Sequence, residues 1–144
     1  LDQNLMLDGG YFSMTVGNLS AVNIEWYSGG LIFDKTALDN GHKIELSGEL
    51  FKMGEGPIEI DFDGLDGSKY IGKSFELISS SSGSTILNGD ANEDFIATDL
   101  TGALADFAWN DNTLSVTFTN VPEPASIAAL FGLAALVFAV RRRK

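Results

Sequence analysis

Apolar and polar residues alternate with a period of two through most of the first 120 residues, which is the pattern of a strand buried on one face. The clearest run is 58–63, where Ile58, Ile60 and Phe62 alternate with Glu59, Asp61 and Asp63. Comparable runs lie at 11–16, 21–27, 43–51, 74–79 and 113–118, with shorter apolar stretches at 31–33, 94–97 and 105–109. Gly, Asn, Asp and Ser separate them, as in Ser28-Gly29-Gly30, Gly54-Glu55-Gly56-Pro57 and the serine-rich stretch 79–84. No long 3.6-residue period occurs before residue 125. The pattern predicts an all-β domain over 1–120, either a β-solenoid or a β-sandwich.

The pattern changes after residue 120. From Ala125 to Val140 there is no charged residue, and the run ends at Arg141, Arg142, Arg143 and Lys144. As a helix at about 1.5 Å per residue this stretch spans roughly 24 Å, short against about 30 Å of hydrocarbon but workable if the basic stems snorkel. It predicts a single C-terminal transmembrane helix. Lys and Arg beside a membrane segment stay on the cytoplasmic side, so Arg141–Lys144 act as the topology anchor and 1–120 lies outside the cytoplasm.

Pro122-Glu123-Pro124, followed by Ala125-Ser126, the apolar run and the basic end, resembles the PEP-CTERM sorting signal of Gram-negative bacteria. The resemblance covers 121–144. It implies an exosortase-type membrane protease as partner, processing near Pro122, Glu123 and Pro124, passage through the inner membrane, and delivery to the cell surface or an extracellular biofilm matrix. A plain tail anchor is the alternative.

A second resemblance spans 44–120. The order of Ile58-Glu59-Ile60-Asp61-Phe62-Asp63, Ser74-Phe75-Glu76-Leu77-Ile78-Ser79 and Thr113-Leu114-Ser115-Val116-Thr117-Phe118 is similar to the C-terminal end of autotransporter-like parallel β-helix passengers. It implies that 1–120 closes a β-solenoid, and an antiparallel sandwich remains the alternative. The sequence opens at Leu1 with no hydrophobic leader before Asp2, which predicts that 1–120 is the C-terminal part of a longer precursor.

Charge narrows the partners. All twenty acidic residues but only five of the nine cations precede the apolar tail. Such a surface repels nucleic acid and favours solubility and divalent cations. There is no cysteine, so neither a disulfide framework nor thiolate chemistry is available.

Candidate chemistry is sparse. Glu59, Asp61 and Asp63 share one strand face at about 6–7 Å intervals, a solvated face or one half of a glycosidase carboxylate pair. Asp90, Asn92 and Asp94 have the alternate-oxygen spacing that opens a Ca²⁺ loop, but Phe95 stands where the turn wants Gly, and Asp99 falls short of the closing ligand position. They form a weak Ca²⁺ candidate, and no other cofactor is expected. His42 is the only histidine and reads as a loop residue, with no Gly-x-Ser-x-Gly elbow to accompany it. Trp26, Tyr27 and Trp109 are the sugar-stacking candidates, although alternation sets Trp26 and Tyr27 on opposite faces. The expected role is therefore structural or adhesive and not enzymatic. A carbohydrate- or Ca²⁺-binding module acting on extracellular polysaccharide comes next, and a polysaccharide-active enzyme last.

Overall fold

The computed structural model describes residues 3–81 and 90–122. Its elements are mostly short strands, and seven of the nine strand pairs among the described residues are parallel. β1 (Leu5–Leu7), β4 (Ile24–Trp26) and β7 (Leu50–Lys52) form the first sheet. β2 (Gly10–Ser13), β5 (Gly29–Ile32), β8 (Ile58–Asp66) and β10 (Phe95–Thr101) form the second. β3 (Leu19–Ala21), β6 (Ile44–Leu46) and β9 (Ser74–Ser80) begin the third, which β12 (Thr113–Thr119) and β11 (Leu104–Asn110) complete. The chain thus visits the three sheets in turn and returns to the first, one circuit resting on the last.

Register explains why strands of three residues suffice. Leu5, Ile24 and Leu50 are aligned in the first sheet, Phe12, Leu31 and Ile60 in the second, and Leu19, Ile44 and Ile78 in the third. Each ladder points inward, so a short strand buries its side chain against its counterparts above and below as well as across the core. Met14, Phe33 and Phe62 add a further buried layer. The parallel pairing departs from the antiparallel sandwich considered for this sequence. Among the described residues, antiparallel pairs occur only at one end, where β12 joins β9 and β11 folds back on β12.

Two expected single strands are divided by corners. The run 43–51 splits into β6 and β7, and 21–27 gives β4 after the corner at Val22-Asn23 that follows β3. These two corners lie against each other: Gly48 N donates to Val22 O at 2.7 Å, and Glu49 N donates to Asn23 Oδ1 at 2.8 Å. A Cβ on Gly48 would collide with the Asn23 side chain and the Val22 carbonyl. Asn23 also reaches back to Asn4 Oδ1 at 3.1 Å, so one side chain ties three circuits together.

Helical pieces fill the corners elsewhere. α1 (Lys35–Asp39) starts at Asp34, whose carboxylate accepts from Ala37 N at 2.8 Å, and it buries Ala37 and Leu38. α2 (Ala91–Asp94) precedes β10. The β11–β12 hairpin closes on Asp111-Asn112, both with positive φ (48° and 62°), the geometry of a two-residue type I′ turn.

Candidate functional site

The strongest sequence signal begins just after the last strand of the described residues, so the geometry of interest is the exit of the chain from β12. This strand lies between β9 and β11 and is paired on both sides. Its Leu114, Val116 and Phe118 are fully buried while the alternate residues face outward. Phe118 is the last core residue among the described residues. Its ring meets Phe62, Phe75 and Tyr70 at centroid distances of 5.3, 5.8 and 6.0 Å. Its backbone is clamped as well: Phe118 N donates to Lys73 O at 3.1 Å, and Gly72 N donates to Phe118 O at 2.8 Å. Thr119, Asn120, Val121 and Pro122 follow at once and are exposed. Residues 119–122 thus leave the core at a fixed point, and Pro122 has no N–H with which to continue the ladder. Glu123, Pro124, the apolar run 125–140 and Arg141, Arg142, Arg143 and Lys144 lie outside the described residues. No helix among the described residues is long and apolar enough to cross a membrane.

The other candidates occupy separate places. Glu59 and Asp61 stand on the outer face of β8, with Ile58, Ile60 and Phe62 buried behind them, as alternation requires. The Tyr11 hydroxyl donates to the Glu59 carboxylate across Gly30, which lies between the two strands in register. That hydrogen bond, with the negative charge beside it, raises the Tyr11 pKa above its ordinary value. Asp61 Oδ1 accepts from Asp63 N at 2.7 Å, and Asp63 adopts a left-handed φ of 53°, so this pair shapes a local kink.

Asp90, Asn92 and Asp94 are each engaged in building the fold. Asp90 caps α2 by accepting from Asn92 N at 2.9 Å. Asn92 donates to Asp106 at 2.8 Å and accepts from Phe107 N at 2.8 Å, fastening α2 to β11. Asp94 is buried, 3.0 Å from Lys52 Nζ. Among the described residues, no group of three or more His, Cys, Asp or Glu is arranged to hold a metal ion.

His42 Nδ1 lies 2.7 Å from Met14 O. A carbonyl can only accept, so this nitrogen carries the proton. The ring lines a cleft of about 240 Å³ with Lys43, Ser74, Phe75 and Glu76, where Lys43 Nζ and Glu76 pair at 3.2 Å. Trp26 is buried and donates from Nε1 to Gly29 O at 2.8 Å, and Trp109 packs against the core. Only Tyr27 of the three aromatic candidates is exposed. Sequence reasoning missed its neighbours. In the parallel register of the first sheet, Met6, Glu25 and Phe51 are aligned on the outer face, and Tyr27 and Met53 follow one step beyond the β4 and β7 ends. All four apolar side chains of this group are exposed.

Comparison with known proteins bears on one of these places. A model of the PEP-CTERM protein-sorting motif matches residues 120–144, beginning one residue after β12 ends. Such signals are recognised by exosortase, a membrane enzyme, and they imply export to the cell envelope or surface. No curated protein and no solved structure matches the chain.

Proposed function

We propose that this is a cell-surface or extracellular-matrix protein with a structural or adhesive role, built as a parallel β-solenoid and released from the inner membrane by processing near Pro122, Glu123 and Pro124. In this reading the run 125–140 crosses the inner membrane during export, with Arg141–Lys144 on the cytoplasmic side. The protein is the substrate of a protease and carries no catalytic machinery of its own. The observation that carries the reading is the sorting-motif match beginning at residue 120, directly after a strand whose last core residue is Phe118. A cut in the exposed segment would leave every β12 pairing intact. The test is the C-terminal mass of the protein from surface and membrane fractions of its host. A surface form ending near Pro122–Pro124 supports the proposal. A form ending at Lys144 and found only in the inner membrane leaves a plain anchored domain.

The exposed group on the first sheet favours a second reading, a carbohydrate-binding face. Tyr27 and Phe51 offer exposed aromatic surface, and Glu25, in register with Phe51 and two residues before Tyr27, offers a hydrogen-bond acceptor. Aromatic faces stack on the C–H faces of sugars, and the acidic surroundings favour a neutral glycan over an acidic one. Titration calorimetry with neutral polysaccharide fragments checks it: Phe51→Ala and Tyr27→Ala would each weaken binding about tenfold, the equivalent of about 1.4 kcal/mol. Absence of heat with the native protein removes this reading.

A further inference from the structure

Among the described residues, the three sheets share one unfinished end. β1, β2 and β3 are each the outermost strand of their sheet, and together they make one circuit of the chain. Behind them the ladders are closed: Ile24, Leu31, Ile44, Leu50, Ile60 and Ile78 are at most 2% exposed. The matching residues of the first circuit, Leu5, Phe12 and Leu19, are only half-buried. They converge from three strands around a cavity of about 100 Å³. The backbone is open on the same side. Leu5 N, Met14 N and Leu19 N donate to Asn23 O, Ile32 O and Lys43 O in the second circuit. Successive residues of an extended strand turn their amides to opposite sides. Met6, Ser13 and Ser20 therefore direct theirs away from the second circuit. Exposed edges are ordinarily blunted by charge, proline or a bulge. β1, β2 and β3 contain no charged residue and no proline.

We propose that this end docks a further circuit of parallel strands, supplied by polypeptide preceding residue 3 in the same chain, so that 3–122 is the closing segment of a longer stack. The inference rests on the solenoid reading above and is independent of whether the tail is cut. A second copy fits the end poorly in either orientation. Stacked head to tail, it would bring three level edges against a stepped end, because among the described residues the three sheets contain three, four and five strands. Each step is about 4.8 Å, and the Lys52–Asp94 pair sets α2 at the end of the first sheet. Stacked head to head, it would require antiparallel pairing and would press two strongly acidic chains together.

The test is hydrogen exchange on the native protein isolated from its host, resolved to single amides, with its mass in solution measured in parallel. The expected result is slow exchange at Met6, Ser13 and Ser20, comparable with Tyr27, whose amide donates to Leu7 O, in a protein that is monomeric. Free exchange at the three edge amides with Tyr27 still protected overturns the proposal, because the edge is then bare. Protection that disappears on dilution of a dimer also overturns it, in favour of a second copy. Free exchange at Tyr27 as well would remove the stacked arrangement itself, and the proposal with it. Ser20→Pro gives an independent check, since proline is tolerated only where a strand's N–H faces solvent. A lower Tm supports the docked circuit and an unchanged Tm contradicts it.

Discussion

Lys52 and Asp94 illustrate how burial changes the meaning of a residue. Their side chains are 8% and 1% exposed and 3.0 Å apart, whereas the Lys35–Asp39 pair lies on the surface. Lys52→Met takes the cation away from a carboxylate that water cannot reach, and it should cost about 3–5 kcal/mol. Lys52→Met combined with Asp94→Leu should recover most of that loss, and urea unfolding of the native protein and the two variants checks both statements. Asp39 yields a pH prediction. Hydrogen bonds from Lys35 and then Tyr70 hold its carboxyl below the usual range. A depressed carboxylate stabilises the fold above its unfolded pKa, and that contribution is lost as pH falls through the folded one. Tyr70 behaves oppositely. Burial and then its bond to Asp39 raise its pKa, so its contribution is lost as pH rises beyond the ordinary tyrosine range. Tyr70→Phe should therefore lower stability by about 1 kcal/mol at neutral pH and flatten both the acid and the alkaline limbs of a Tm-versus-pH curve.

At the scale of the element, alternation identified the strands well and their ends badly. The inward Ile58, Ile60 and Phe62 and the outward Glu59 and Asp61 follow directly from period two, and so do the opposite faces of Trp26 and Tyr27. The corners were not legible. Ile44–Leu46 and Leu50–Lys52 keep one continuous alternation although Gly48 turns the chain between them, because the direction change resides in a backbone contact with Val22 and Asn23 from an earlier circuit. A period cannot register a contact between residues so distant in sequence. The same holds for Asp90, Asn92 and Asp94, whose spacing gives no sign that Asp90 caps α2, that Asn92 fastens it to β11 or that Asp94 meets Lys52. Gly48→Ala should accordingly destabilise well beyond the usual glycine-to-alanine effect, by about 2–3 kcal/mol given the overpacking it forces. Leu104→Ala, at an exposed position of β11, should change stability by less than about 0.5 kcal/mol. Comparing the two denaturation midpoints separates a backbone clash from a general loss of sheet stability.

For the whole molecule, the sorting-motif match begins directly after the last strand of the described residues. The composition shift after residue 120 was legible in the sequence because hydropathy and charge are properties of the residues themselves and need no knowledge of long-range contacts. The structure adds the position of the last core residue. Phe118 is locked among Phe62, Tyr70 and Phe75, and only exposed residues follow it within the described chain. A chain ending at Asn120 retains all of β12 and every core side chain named above. Its Tm should match that of the longer chain to within about 1 °C, since Val121 and Pro122 are exposed and no core side chain among the described residues is lost. Ending the chain at Leu114 instead removes Val116 and Phe118, two fully buried side chains, and the pairing of β12 with β9 and β11 beyond them. That form should lose cooperative unfolding, because burial of a single large core side chain is worth about 3–5 kcal/mol against a total stability of about 5–15 kcal/mol. Calorimetry on the two truncated forms decides the point. A large loss of Tm on ending at Asn120 would mean that the sorting segment packs on the domain, and processing there would then destabilise the protein it releases.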